Sequence, residues 1–292
     1  MKNPKIKILI TGASGLVGKT ASVFFMTNPG YDVTALTHKE LDITDKDAVL
    51  QTVSEINPRF IINCAAYTQV DRAEIEQDKC YAVNVDGTVN LAEASGGSNA
   101  TLIHLSTDYV FDGKKRIPYV ETDSKNPLNY YGLTKSISEE KLMQTTGRYF
   151  IIRPAWIYGK YGNNFFTKLM QWIKTNDVLQ ISNDQVSTPT YAGDLVAFID
   201  FIIRHVPDAY GIYHFTGGGQ ATRYEQAVEI LKLLNINKKI VPVPSSIFKP
   251  LAQRPPYSVL SKEKIKTLWN YPVKHWKESL KQFINRNYDN KS

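Results

Sequence analysis

The chain predicts an α/β fold, a doubly wound parallel sheet completed by a smaller mixed lobe. Three observations carry this. Apolar strand-like runs alternate with helical stretches through the first half. A G-x-x-G-x-x-G run stands where the first strand gives way to the first helix. And 292 residues, 42% of them hydrophobic, suffice for one large core or a large and a small one.

The elements follow in order. Residues 5–10 (KIKILI) read as a short apolar strand running into Thr11-Gly12-Ala13-Ser14-Gly15-Leu16-Val17-Gly18 and a helix to about Met26. Residues 31–36 (YDVTAL) are a second strand. Residues 45–56 are amphipathic at helical spacing, with Val49, Leu50, Val53 and Ile56 on one side. Residues 59–64 form a buried-type strand, 79–94 a helix, 101–105 a strand, 131–145 a helix and 149–152 a strand. This order calls for parallel strands joined by right-handed crossovers.

Beyond residue 153 the rhythm loosens. Helices are expected at 164–174 and 190–205 and a strand at 211–215. The capping-box spacing of Thr222 and Glu225 opens a helix to 234. A strand at 240–243, a loop with Pro244, Pro250, Pro255 and Pro256, and a helix at 276–285 close the chain. The expected division is 1–155 for a dinucleotide-binding domain. Residues 156–292 then finish the sheet and form the smaller lobe from interleaved segments.

Composition narrows the function classes. No run of about 18 uncharged apolar residues is present, so no membrane span is expected. The charged residues 1–7 lead into a strand without a small-residue cleavage site, so no signal peptide is read. Two cysteines, Cys64 and Cys80, make no disulfide framework and suit a reducing cytoplasm. The net charge of +7 is scattered, its densest run being Lys114-Lys115-Arg116. Small polyanions such as nucleotides are therefore expected as partners, not nucleic acid.

The glycine run has a direct physical use. Glycine admits positive φ and lets a phosphate approach the backbone, and the helix start offers free N–H groups to a pyrophosphate. This is the dinucleotide site of a Rossmann domain, with Gly12, Gly15, Leu16, Val17 and Gly18 contributing mainly backbone. A site preferring NAD carries an acid at the end of the second strand. Here the chain reads Leu36-Thr37-His38-Lys39, without an acid until Glu40. Lys39 or His38 attracts a 2′-phosphate that a carboxylate would repel, so NADPH is expected, with NADH tolerated.

Tyr131 and Lys135 stand four apart on a predicted helix and share a face. Reducing a carbonyl needs a proton donor for the developing alkoxide. A lysine ammonium about 4 Å away contributes about 4 kcal/mol at an effective dielectric near 20, so Lys135 is expected to draw the Tyr131 phenol toward neutral pH. Lys135 also suits a hydrogen bond to the nicotinamide ribose. Ligands in doubly wound sheets sit outside the carboxyl ends of strands. Ser106-Thr107-Asp108-Tyr109 follows such a strand, and Thr107, with Ser106 as alternative, is the expected hydroxyl for the substrate oxygen.

Further motifs follow in order: ELDITD (40–45), NCAAYTQVDRAE (63–74), NVDGT (84–88), STDYVFDG (106–113), YYGLTK (130–135), RPAWIYG (153–159), DQVSTPTY (184–191) and RPPYSVL (254–260). Together with ITGASGLVG (10–18) they resemble the dTDP-4-dehydrorhamnose reductase family of extended short-chain dehydrogenases over nearly the whole chain. The resemblance implies a Rossmann domain with a sugar-nucleotide lobe, and hydride transfer from NAD(P)H to C4 of dTDP-4-dehydro-L-rhamnose. It implies Thr107, Tyr131 and Lys135 as the catalytic set. It places Asp42 and Ile43 near adenine and Ala65, Ala66 and Tyr67 along the cofactor. Thr68, Val70, Asp108, Tyr109 and Trp156 would border the sugar, with Arg254 and Tyr257 toward the diphosphate. Asn84 would orient the active-site helix or cap a helix. The family often has Gln-Leu where this chain has Leu16-Val17. Acidic residues that hold a metal at a dimer contact in some members have no match here. No metal is assigned, and a homodimer is left open. Two other readings stay open: an epimerase or a second 4-ketoreductase on the same fold, and a non-catalytic nucleotide-binding subunit. A dehydratase is disfavoured because Tyr109, not Glu, follows Thr107-Asp108.

Overall fold

The computed structural model describes residues 4–288, so Met1–Asn3 of the charged N-terminal stretch lie outside the described residues. Six strands form the main sheet: β1 (Ile6–Thr11), β2 (Tyr31–Leu36), β3 (Phe60–Asn63), β4 (Thr101–Leu105), β5 (Tyr149–Arg153) and β6 (Gly211–His214). Their order is β6-β5-β4-β3-β1-β2, and every pairing is parallel.

A parallel sheet hides both faces, which is why these strands read as continuous apolar runs. Successive side chains take opposite faces. Ile8, Ile10, Phe60, Ile62, Ile103, Phe150 and Ile152 pack on one side against the helices Leu16–Met26 and Ala192–His205. Leu9, Ile61, Leu102 and Ile151 pack on the other, against residues of Lys46–Ile56, Gly87–Gly97 and Tyr130–Thr145. The chain leaves β1 toward β2 on one side and reaches β3 on the other. The crevice at this reversal, beyond the carboxyl ends of β1 and β3, is where such sheets take ligands.

A further core gathers Tyr158, Phe166, Leu169, Ile230, Trp276 and Phe283 around the parallel pair Val178–Ser182 and Lys239–Val243. Val178–Ser182 lies outside the sequence-predicted strands: only Leu179 and Ile181 turn inward, too brief an alternation to register. The helix expected over 79–94 is broken into Gln77–Tyr81, a π-helical turn Ala82–Asp86 and Gly87–Gly97. Asn84 explains the break, because its side chain leaves the helix to bond a neighbouring loop. Among the described residues no helix is long and apolar enough to cross a membrane.

Candidate active site

β1 delivers the chain into the glycine turn. Gly12 has φ +64°, and a Cβ there would lie 2.6 Å from the backbone nitrogen of Ala65, at the end of β3. Only glycine lets these strand ends meet so closely. The helix Leu16–Met26 starts with no side-chain cap and no acid in its first turn. Its leading N–H groups therefore want an acceptor, and an anion fits that donor set. Val17 is buried in the core, whereas partly buried Leu16 lies under Gly159 and Gly162.

Beyond β2, Lys39 is exposed, and Glu40 is turned back onto the Thr37 amide and hydroxyl. Asp42 accepts from the Thr44 amide at 3.0 Å and hydroxyl at 2.9 Å. Ile43 is core: its side chain presses on Gly87, and its carbonyl accepts from Asn90 at 3.0 Å. Only its backbone is left to line a crevice. Ala65 and Ala66 are partly buried. Tyr67 is fixed through its backbone by Asn84 and through its hydroxyl by Glu76. Asn84 also donates to Thr134 Oγ1 at 3.0 Å. Of its two expected roles it therefore takes the first, tying the Tyr67 loop to the helix Tyr130–Thr145, and caps nothing.

That helix is placed by two contacts. Asn129 caps it, accepting from the Gly132 amide at 2.8 Å. Gly132 itself lies so close to the Tyr109 carbonyl that a Cβ would come within 2.3 Å. The absent side chain brings Tyr131 against the turn after β4. The Tyr131 and Tyr109 rings meet edge-on at 6.0 Å, and the Thr107 hydroxyl stands near enough to the Tyr131 phenol to favour its ionised form. Ser106, the alternative hydroxyl, faces elsewhere: it donates to Glu139, which is clasped by Arg153.

The electrostatics depart from expectation. Burial pushes the Tyr131 phenol well above its ordinary value, with the nearby Thr107 hydroxyl opposing this and Asp108 and Tyr109 adding to it. Lys135 does not draw it down to neutral pH. Lys135 is itself buried, which brings its ammonium down to about 8, and its Nζ lies 2.9 Å from His104 Nε2. Desolvation outweighs the pairwise attraction expected between the two. Asp108 is pushed up to about 6, chiefly by burial, although Ser258 and Thr107 donate to it.

Next to Tyr109 opens a cavity of about 750 Å³, lined among others by Asp71, Phe165, Trp172, Arg223 and Arg254. Arg254 grips Asp71 through both guanidinium nitrogens, which holds that carboxyl down at about 2. Its charge is thus already matched. Arg223, absent from the sequence-predicted set, stacks 3.7 Å from the centre of the Trp156 ring and 4.9 Å from that of Phe165. Burial lowers it to about 10, and among the described residues it forms no ion pair within 4 Å. Its one sequence signal is its place behind the Thr222 capping box, which brings the N-terminus of the helix Arg223–Leu233 to the cavity wall. Trp156 holds a left-handed backbone at φ +46°, a conformation that costs about 1–2 kcal/mol and is kept where neighbours enforce it. Thr68 is exposed, and Val70 opens the short helix Val70–Ala73 whose Asp71 reaches the cavity. Tyr257, expected toward the diphosphate, packs instead with Val110, Phe111 and Leu260 in a core of its own.

The geometry can be set beside known proteins. The family model described as the RmlD substrate binding domain matches residues 6–288. A dTDP-4-dehydrorhamnose reductase of Aggregatibacter actinomycetemcomitans is 39% identical over 285 residues, covering 94% of this chain and 97% of its own length. A dTDP-4-keto-6-deoxy-D-glucose reductase of Streptomyces niveus is 36% identical, covering 94% and 95%. The crystal structure of dTDP-4-dehydrorhamnose reductase from Bacillus anthracis str. Ames in complex with NADP superposes with a TM-score of 0.93 at 37% identity, covering 97% of this chain and all of its own. With nearly its whole length matched in sequence and in fold, this chain belongs to the RmlD substrate binding domain family.

Proposed function

We propose that the chain reduces the C4 ketone of dTDP-4-dehydro-L-rhamnose to give dTDP-L-rhamnose, using NADPH and tolerating NADH. The observation that carries this reading is the approach of Thr107 to Tyr131, with Lys135 one helical turn on, between an anion-seeking helix start and a cavity with a partly buried arginine that forms no ion pair among the described residues. The similarity to reductases named for this substrate and to an NADP complex supports it. Residues 1–155 act as the cofactor-binding part, and 156–292 complete the sheet and carry the substrate lobe. The enzyme works in the cytoplasm, where Cys64 and Cys80 stay free thiols. It acts on a nucleotide sugar and not on nucleic acid, alone or as a homodimer.

The bound dihydronicotinamide supplies the hydride. The leading amides from Leu16 to Gly18 hold the pyrophosphate, and exposed Lys39 answers the 2′-phosphate. Tyr131 gives its proton to the alkoxide oxygen formed at C4. A raised phenol suits this task, because it keeps its proton until a base as strong as an alkoxide develops. Arg223 sets its charge against the sugar diphosphate, in a site where neighbouring rings exclude water and strengthen the attraction.

The test is an absorbance assay at the nicotinamide band with NADPH and a panel of dTDP-, UDP- and GDP-4-keto sugars. The reading expects one NADPH consumed per dTDP-4-dehydro-L-rhamnose. Product without NADPH consumption would make the chain an epimerase, and no turnover with any sugar would leave a binding subunit.

A further inference from the structure

Beneath the active-site floor runs a line of buried polar side chains that the reaction above does not use. Thr11 and Asn63 end β1 and β3, and His104 stands on β4; none is more than 1% exposed. The Thr11 hydroxyl donates to Asn63 Oδ1 at 2.8 Å, and the Ala65 backbone N–H donates to the same oxygen at 3.1 Å. A backbone N–H only donates, so the Asn63 amide has one orientation, with Nδ2 toward His104 Nδ1 at 3.2 Å. An amide NH₂ also only donates, so Nδ1 must present its lone pair. Burial keeps the His104 imidazole neutral, and its single hydrogen therefore sits on Nε2. Nε2 faces Lys135 Nζ at 2.9 Å and Ser138 Oγ at 3.4 Å, and the Ser138 hydroxyl spends its own hydrogen on the Lys135 carbonyl at 2.8 Å. An ammonium at Lys135 would set N–H against N–H. A neutral amine receives the His104 hydrogen.

We propose that His104 is a positioning residue for the reduction: locked by Asn63 in the Nε2–H tautomer, it stabilises the uncharged amine of Lys135 and so readies that lysine to release a proton toward Tyr131. This rests on the reading that Tyr131 and Lys135 carry the reaction. The protons balance. Once Tyr131 has protonated the alkoxide, an N–H bond of Lys135 breaks and an O–H bond forms on the phenolate. The amine left behind accepts the His104 hydrogen bond, and solvent returns one proton to Lys135 before the next turnover. The titratable groups acting on Lys135 are Glu139 on its own helix, Cys80 from Gln77–Tyr81 and His104 from β4, with Tyr131 one turn earlier on the same helix. Glu139 and Cys80 favour the ammonium, and Glu139 is largely answered by Arg153 and Lys125.

The first measurement is the ¹⁵N spectrum of His104 in the unsubstituted, cofactor-free protein. A bare Nδ1 with a protonated Nε2 is expected, and a protonated Nδ1 would overturn the proposal whether or not the protein turns over. The second is the pH profile of kcat. His104→Leu removes the donor, so Lys135 stays charged to higher pH, and the alkaline limb should move up by about one pH unit, a tenfold change in the lysine's proton affinity. His104→Gln, which keeps a donor toward Nζ and an acceptor toward Asn63, should bring the limb back. A lower kcat with the limb unmoved would mean that His104 only packs. Absence of turnover in the unsubstituted protein would remove the functional reading and leave the tautomer to the spectrum.

Discussion

At the end of β1 the molecule presents backbone; in the cavity beyond Tyr109 it presents side chains. The glycine turn and the amides of Leu16–Gly18 come from one short stretch, and nothing charged is buried there. The cavity draws Asp71, Arg223 and Arg254 from segments up to 183 residues apart and places Arg223 and Asp108 under desolvation strong enough to shift both. A backbone site tolerates changes of side chain but not of backbone geometry. A side-chain site carries electrostatic stress that a single substitution relieves or exposes.

The largest test of that contrast lies where the two regions meet. Tyr131→Phe should lower kcat by roughly 10²- to 10⁴-fold, the usual contribution of a positioned proton donor, while the NADPH Kd from fluorescence titration stays unchanged. If cofactor affinity fell equally, the two regions would not be separable.

Asp108 tests the electrostatic stress. Its folded value of about 6 stands above the ordinary 3.8, so the fold holds its proton more tightly than the unfolded chain does. Stability from this carboxyl is complete below pH about 4 and is lost as pH rises through 6, a loss of about 3 kcal/mol by linkage. Asp108→Asn should therefore raise Tm at pH 8 and leave it unchanged at pH 4, by thermal melts. A gain of equal size at both pH values would place the effect in packing.

Arg223→Met should raise KM for the nucleotide sugar by about 10- to 100-fold, the worth of about 1.5–3 kcal/mol for a charged hydrogen bond, with NADPH affinity retained. Arg254→Met, whose charge is already matched by Asp71, should do less; the reverse order would return the diphosphate to Arg254. The smallest effects belong to the glycine turn. Gly12→Ala forces a Cβ against Ala65 and should cost about 1–3 kcal/mol in urea melts, whereas Leu16→Gln should stay within about 0.5 kcal/mol.

The same contrast explains what the sequence made legible. The glycine turn and the Tyr131–Lys135 pair are local patterns, and each strand of the main sheet announced itself as an apolar run. Arg223 was not legible, because its meaning comes from Trp156 and Phe165, which stand 67 and 58 residues earlier and meet it only after the lobe has folded. The direction of the Tyr131 shift was missed for a related reason. Spacing showed that a lysine stands one turn away, but not that both groups lie out of water or that the lysine turns to His104. The π-helical turn at Asn84 was hidden because one side chain, not the helix pattern, decides it.

The strap 250–256 is pinned from two sides: the Ala252 amide and Arg254 on Asp71, and the Gln253 carbonyl on Asn129, the cap of the helix that carries Tyr131. A genetic screen for loss of function would accordingly recover lesions in this proline-rich stretch, and their kinetics would mimic damage to the catalytic helix although no atom of the strap takes part in the chemistry.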